Sequence, residues 1–206
     1  MGKGIFIVID GMDGAGKGEL IQRLQSYIFS KDKKNRILTT REPTMGIFGR
    51  EIRKILKEDN GPEKNAETLL ELFIKDREEH LNKTIIPFLD NVSGDNVNIV
   101  LCDRYYHSTI AFQHAQGIEM KKLLDMNRKF RKPDLALILD LNPEIALKRL
   151  SARQKEKFEQ IDFMKRLREN FLSLNRHIDD NIKVIDASKS AEEVFESVKK
   201  EIGGIV

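Results

Sequence analysis

Near the start of the chain, Gly11-Met12-Asp13-Gly14-Ala15-Gly16-Lys17-Gly18 has the residue types and spacing of a phosphate cradle. Glycines let the backbone turn tightly enough for successive N–H groups to point inward at phosphate oxygens. A lysine in the same loop adds a full positive charge for the β- and γ-phosphates. Gly18 stands where a serine or threonine commonly ligates magnesium, and Glu19 after it offers no hydroxyl either. Metal binding therefore leans on water and on other carboxylates. The Gly-x-Gly-x-x-Gly dinucleotide pattern is absent, which argues against nicotinamide chemistry.

Three further segments carry charge where it could serve a phosphate. Asp103-Arg104-Tyr105 ends an apolar run. Its carboxylate could hold magnesium through water, and its guanidinium could clamp a phosphate with two parallel hydrogen bonds. Arg41-Glu42-Pro43 ends an earlier run. The proline keeps Glu42 out of the helical region and stops the strand, leaving Arg41 as a second cation at that sheet edge. Phe73 and Arg77, four residues apart in a helical stretch, share one face. A ring beside a guanidinium suits stacking on a base while hydrogen-bonding its carbonyl edge or its phosphate. Plainer roles fit the same residues: an exposed ion pair for Asp103 and Arg104, core plus surface for Phe73 and Arg77.

These residues need a scaffold that brings them to one edge. Apolar runs at Ile5 to Ile9, Arg36 to Thr40, Val97 to Cys102, Leu135 to Leu141 and Lys183 to Ile185 alternate with helical patterns. Runs without polar alternation predict parallel strands buried on both faces. Leu20, Ile21, Leu24, Tyr27 and Ile28 make one face of a first helix, and Ala191, Val194, Phe195, Val198 and Ile202 one face of the last. Ser190 and Glu193 have the spacing of a capping box, and Asn142-Pro143 reads as an N-cap followed by proline at the first helical position. Right-handed crossovers then give an α/β fold, a doubly wound sheet of about five strands, with ligands outside the carboxyl ends of the strands.

At 206 residues, one domain over 1–206 is the expectation. A net charge of +3, with both signs interspersed, is too mild for a nucleic-acid polymer; a few arginines gathered in one cleft would suit a small polyanion. The single cysteine, Cys102, reads as a buried strand residue more readily than as a catalytic thiol, and one cysteine forms no internal disulfide. No apolar stretch has the length of a membrane span, and no signal peptide precedes the glycine loop, so the expected compartment is the cytoplasm.

With these motifs in this order, the chain resembles the thymidylate kinases along nearly its whole length. That resemblance implies a P-loop kinase fold, a five-stranded parallel sheet flanked by helices with a short lid segment at about 149–160. It also implies transfer of the ATP γ-phosphate to dTMP, with Mg2+, in a homodimer. On the donor side it points to Gly11, Met12, Asp13, Gly14, Ala15, Gly16, Lys17, Gly18, Glu19, Arg149 and Ala187, the last in the segment beside adenine. On the acceptor side it points to Asp13 near the sugar hydroxyl, Arg41 and Arg104 on the phosphate, and Phe73 and Arg77 on the base. Thr109 lies near the base edge, Phe112 crowds the sugar so that deoxyribose is preferred, and Ser108 and Gln113 complete the set. Lys17, Arg104, Asp13, Asp103 and Arg153 are the expected catalytic residues, with Asp103 holding the metal through water.

Some members carry arginine where Gly14 stands, so a lid cation should serve instead, and Arg153, with Lys155 and Lys157 nearby, is the candidate. Two departures stand out. Thr44-Met45-Gly46 replaces the common Gly-Gly-Thr, and Glu156-Lys157-Phe158-Glu159 replaces a more usual Asp-Arg before the aromatic and glutamate. The alternatives are a kinase for another pyrimidine nucleotide, a deoxynucleoside kinase using Glu42 as base, and an ATP-binding homologue with little catalysis, for which Gly18 and Glu19 speak.

Overall fold

A computed structural model of the protein describes residues 2–58, 65–150 and 157–206, with the side chains of 157–160 left aside. Its centre is β1 (Lys3–Gly11), where Ile5 through Ile9 are all buried. Each such apolar side chain contributes roughly 2 kcal/mol of transfer free energy, which is why a continuous apolar run ends up in the middle of a sheet. β2 (Arg36–Arg41), β3 (Val97–Asp103), β4 (Leu135–Asp140) and β5 (Ile182–Asp186) complete a five-stranded sheet in the order β2-β3-β1-β4-β5, every pairing parallel. All five expected strands are present, and the α/β fold is the one the sequence predicts.

Parallel strands require crossovers, and the helical segments supply them. They are α1 (Lys17–Lys31), α2 (Ile47–Glu58), α3 (Ala66–His80), α4 (Ile86–Asp90), α5 (Tyr106–Ala115), α6 (Met120–Asn127), α7 (Pro143–Arg149), α8 (Lys157–Ser173) and α9 (Ala191–Ile202). A π-helical turn, Leu81–Ile85, runs α3 on into α4. α1 buries Leu20, Ile21, Leu24 and Ile28, the face its 3.6-residue period marks. Ser190 and Glu193 form the expected capping box on α9, and Asn142 accepts from the Glu144 N–H at the start of α7.

Register sets the functional edge. Arg41 pairs with Asp103, Ile9 with Asp103, Gly11 with Leu139, and Asp140 with Asp186, so the carboxyl ends of all five strands finish at one level. The glycine loop leaves the middle strand there. Of the lid expected at 149–160, Arg149 closes α7 and Lys157 opens α8; Arg153 and Lys155 lie outside the described residues.

Candidate active site

The loop between β1 and α1 is shaped by two backbone demands. Gly11 has φ +131°, and a Cβ there would come within 2.6 Å of the Leu139 carbonyl oxygen on β4. Gly16 precedes α1 with φ +91°, the left-handed conformation that glycine adopts freely. The turn aims Lys17 back into the loop, where its Nζ donates to the carbonyls of Gly11 (3.1 Å) and Met12 (3.0 Å) and stands 4.0 Å from Asp13. The lysine is 7% exposed, and its burial, followed by repulsion from Arg104, lowers its pKa to about 8. Its charge is under-compensated by the protein, a state that an arriving phosphate would relieve.

Arg104 approaches the same loop from β3. Its backbone is left-handed, at φ +71°, a position unusual for a side chain larger than glycine. The guanidinium donates through Nη1 to the Gly11 carbonyl (3.1 Å) and Ser108 Oγ (2.8 Å), and through Nη2 to Asp13 Oδ1 (2.5 Å). One peptide carbonyl, that of Gly11, thus holds both cations.

What fixes this turn is Asp10, a residue that the motifs of the sequence do not single out. It is fully buried and accepts from the N–H groups of Gly11 (2.8 Å), Tyr105 (3.1 Å) and Ser108 (3.0 Å) and from Ser108 Oγ (2.5 Å). A carboxylate closing an otherwise apolar strand was the available signal, because a charge in that position has to be matched by donors. Ser108, expected on the nucleotide, spends its hydroxyl between Asp10 and Arg104.

At the level of Arg104, Asp103 and Arg41 face each other across β3 and β2, Nη2 to Oδ2 at 3.8 Å. Burial raises the Asp103 pKa above the usual carboxylate value, against the pull of Lys17 and Arg104. Its Oδ1 is buried with no hydrogen-bond partner among the described residues. An unpaired carboxylate oxygen beside the loop fits a hydrated divalent cation. No cluster of three or more His, Cys, Asp or Glu ready to cage a metal occurs among the described residues, so a water-mediated site is the kind that fits.

Two hollows flank the Lys17–Arg104 pair. On the α9 side, a groove of about 230 Å³ is lined by Gly14 through Gly16, Glu19, Arg149 and Ala187. Arg149 donates to the carbonyls of Gly14 (3.1 Å) and Ala187 (3.4 Å), tying the glycine loop to the segment after β5. On the other side, a cavity of about 390 Å³ is lined by Asp13, Arg41, Phe73, Arg77, Arg104, Thr109, Phe112 and Gln113, with Leu69 and Tyr105 adding apolar wall. Every residue expected on the acceptor side therefore lines one cavity, Ser108 included.

Inside it, Phe112 lies under the Arg104 guanidinium, 5.3 Å from its Cζ. Gln113 is 2% exposed, and its Oε1 has no partner among the described residues while its Nε2 donates to Gln116. Arg77 is 1% exposed, and Thr109 accepts from its Nη2 at 2.9 Å. The Thr44-Met45-Gly46 departure is accommodated locally. Thr44 donates its N–H (2.8 Å) and hydroxyl (2.6 Å) to buried Asp76 and accepts from the Gly46 N–H at 3.0 Å.

The thymidylate kinase family model matches residues 9–198. The chain belongs to the thymidylate kinase family. It is 39% identical over 200 residues to a probable thymidylate kinase of Archaeoglobus fulgidus, covering 96% of this chain and 94% of that relative. It is 38% identical over 182 residues to the thymidylate kinase of Desulfotalea psychrophila, covering 85% and 86%, and 34% identical over 205 residues to that of Bacillus cereus ATCC 10987, covering 95% of each. Thymidylate kinases are nucleoside monophosphate kinases with ATP as donor, and two hollows meeting at a phosphate loop are the layout such a transfer needs. No helix among the described residues is long and apolar enough to cross a membrane.

Proposed function

We propose that this chain phosphorylates dTMP, transferring the γ-phosphate of ATP to give dTDP and ADP. The observation that carries this reading is the meeting of Lys17 and Arg104 on one carbonyl, Gly11, at the boundary between the donor groove and the acceptor cavity. Phosphoryl transfer needs alignment and charge neutralisation more than covalent help from the protein. The glycine loop and Lys17 hold the donor phosphates, and Arg149 and the Ala187 segment bound the adenine side. Arg104 and Arg41 draw the acceptor phosphate into line. An oxygen of that phosphate forms the new bond to the γ-phosphorus as the bond to the β-bridging oxygen breaks. No protein base is required, because the attacking oxygen is already ionised near neutral pH. Magnesium, held by Asp103 through water, would neutralise donor phosphate charge.

The cavity wall supports thymine over cytosine. Gln113 and Arg77 both line the cavity, an amide able to accept from a ring N–H and a guanidinium able to donate to a ring carbonyl. Thymine presents that pair; cytosine presents a ring acceptor and an amino group, which meet like groups at both places. Phe73 supplies the stacking face. The deoxynucleoside kinase reading requires Glu42 as a base, and Glu42 is 2% exposed with both oxygens engaged. A homodimer in the cytoplasm, as one domain, completes the proposal, with Arg153 as the cation assigned to the transferring group. Sedimentation velocity tests the dimer.

The deciding experiment incubates the protein with Mg-ATP and dTMP, dUMP, dCMP, UMP, AMP or thymidine, following ADP and phosphorylated product. The proposal expects dTMP to lead and thymidine to be inert. Thymidine leading, or ATP binding with no acceptor reacting, would replace it.

A further inference from the structure

Glu42 and Arg77 form a buried ion pair, of which the reading above uses Arg77 and gives Glu42 no part. Glu42 Oε2 accepts from Arg77 Nε at 2.9 Å and lies 2.8 Å from Nη2, while Oε1 lies 3.1 Å from His80 Nδ1. His80 shares its other nitrogen with Thr40 Oγ1 at 2.7 Å. Arg77 Nη1 donates to Asn127 Oδ1 at 2.8 Å, and its Cζ stands 5.1 Å from the Tyr105 ring and 5.4 Å from that of Phe130. Nη2 donates to Thr109 Oγ1, and Nη1 keeps a second N–H without a partner among the described residues.

A buried pair of this kind is a poor device for stability alone, since desolvation of both charges cancels most of their attraction. Two features of its placement give it another use. Arg77 lines the acceptor cavity, and Glu42 directly follows Arg41, the cation facing Asp103. Asp76 and His80, on either side of Arg77 along α3, grip Thr44 and Thr40, on either side of Glu42. One helix therefore clasps the whole 40–44 segment.

We infer that Glu42 is a specificity-determining positioning residue. It holds Arg77 so that a single donor is offered to the acceptor's ring, and it ties that reader to the loop carrying Arg41. A guanidinium free to turn could retreat from an amino group; a clamped one cannot, and so rejects cytosine. The inference rests on the dTMP reading.

The test is Glu42→Gln, which keeps the shape and removes the charge, alongside Arg77→Lys and the double variant. Turnover of dTMP and dCMP and the KM for ATP are measured in each, with thermal melting as a check of folding. For Glu42→Gln the expectation is a fall of about tenfold in the kcat/KM preference for dTMP over dCMP, with KM for ATP unchanged. Because Glu42 acts through Arg77, the double variant should lose no more preference than Arg77→Lys alone. A preference unchanged in Glu42→Gln, or losses that simply add, would overturn the inference. A lowered melting temperature with preference intact would assign the pair to stability and overturn it too. Should Glu42→Gln not fold, Glu42→Asp, which keeps the charge and shortens the reach, carries the same expectations. Wild-type protein inert toward dTMP would overturn the function proposed above instead, so the two failures are distinguishable.

Discussion

Arg104 Nη2 lies 2.5 Å from Asp13 Oδ1, so the guanidinium proposed to clamp the acceptor phosphate is held by a residue of the glycine loop. The Asp13 side chain is 68% exposed, whereas that of Arg104 is 15% exposed. The aspartate is therefore the partner free to move aside when a phosphate competes for the guanidinium. Partial desolvation in the loop opposes the Asp13 charge, but Arg104 and Lys17 outweigh it and hold its pKa below the usual carboxylate value.

Replacing Arg104 by lysine should keep the charge and remove the fork that reaches Gly11, Ser108 and Asp13 at once. The expected loss in kcat/KM for dTMP is roughly 10²- to 10³-fold, with the KM for ATP little changed. Steady-state kinetics with each substrate varied in turn read this directly. Wild-type turnover at saturating dTMP would remove Arg104 from its assigned role.

Lys17 gives a pH dependence with a definite sign. Its folded pKa of about 8 lies below the ordinary lysine value of 10.5, so between those limits the unfolded chain binds more protons than the folded one. Its charge costs the nucleotide-free fold stability below pH 8, and that cost is relieved as pH rises from about 8 toward 10.5. Denaturant unfolding of wild type and Lys17→Met across this range should show the wild type gaining relative to the variant. ATP affinity should move the other way, falling above pH 8 as the lysine neutralises. Parallel stability curves for the two proteins would refute the assignment.

The strands and the glycine loop were legible because burial on both faces and a phosphate turn each leave local marks in residue type. The residues expected on the acceptor side were legible as one cavity-lining set, through their order along the chain. Asp10 and Asn127 were not, because their meaning lies in partners distant in sequence: Ser108 for Asp10, Arg77 for Asn127. Glu42 could serve as the base of the alternative nucleoside-kinase reading only because nothing near it in sequence announces that Arg77 and His80 enclose it.

Cys102 should be inert in the native protein. It is fully buried, its Sγ donates to the Arg104 carbonyl at 3.1 Å, and burial, aided by Glu42, pushes its thiol pKa well above the ordinary value. A thiol reagent should label it only on unfolding, one equivalent per chain. Rapid labelling of the native protein would show that the Arg104 turn opens far more often than this packing allows.

Gly18 stands where a magnesium-ligating hydroxyl is common, so it bears on how the metal is held. It occupies the first turn of α1, where a Cβ would meet nothing within 4 Å, and it lines a cleft shared with Asp103. Gly18→Ser should therefore fold normally and gain roughly 0.5 kcal/mol from helix propensity. Its hydroxyl would join Asp103 at the proposed metal position, while Asp103→Asn would remove the charge there. Calorimetric titration with ADP, with Mg2+ and with chelator, separates the contributions. Gly18→Ser should tighten ADP binding by about two- to tenfold only when Mg2+ is present. Asp103→Asn should weaken it under the same condition, and neither variant should change binding in chelator. If Gly18→Ser changes nothing and the wild type turns over briskly, water and Asp103 suffice for the metal, and the missing hydroxyl has no catalytic cost. If Gly18→Ser rescues an otherwise slow enzyme, the glycine is what holds this chain back.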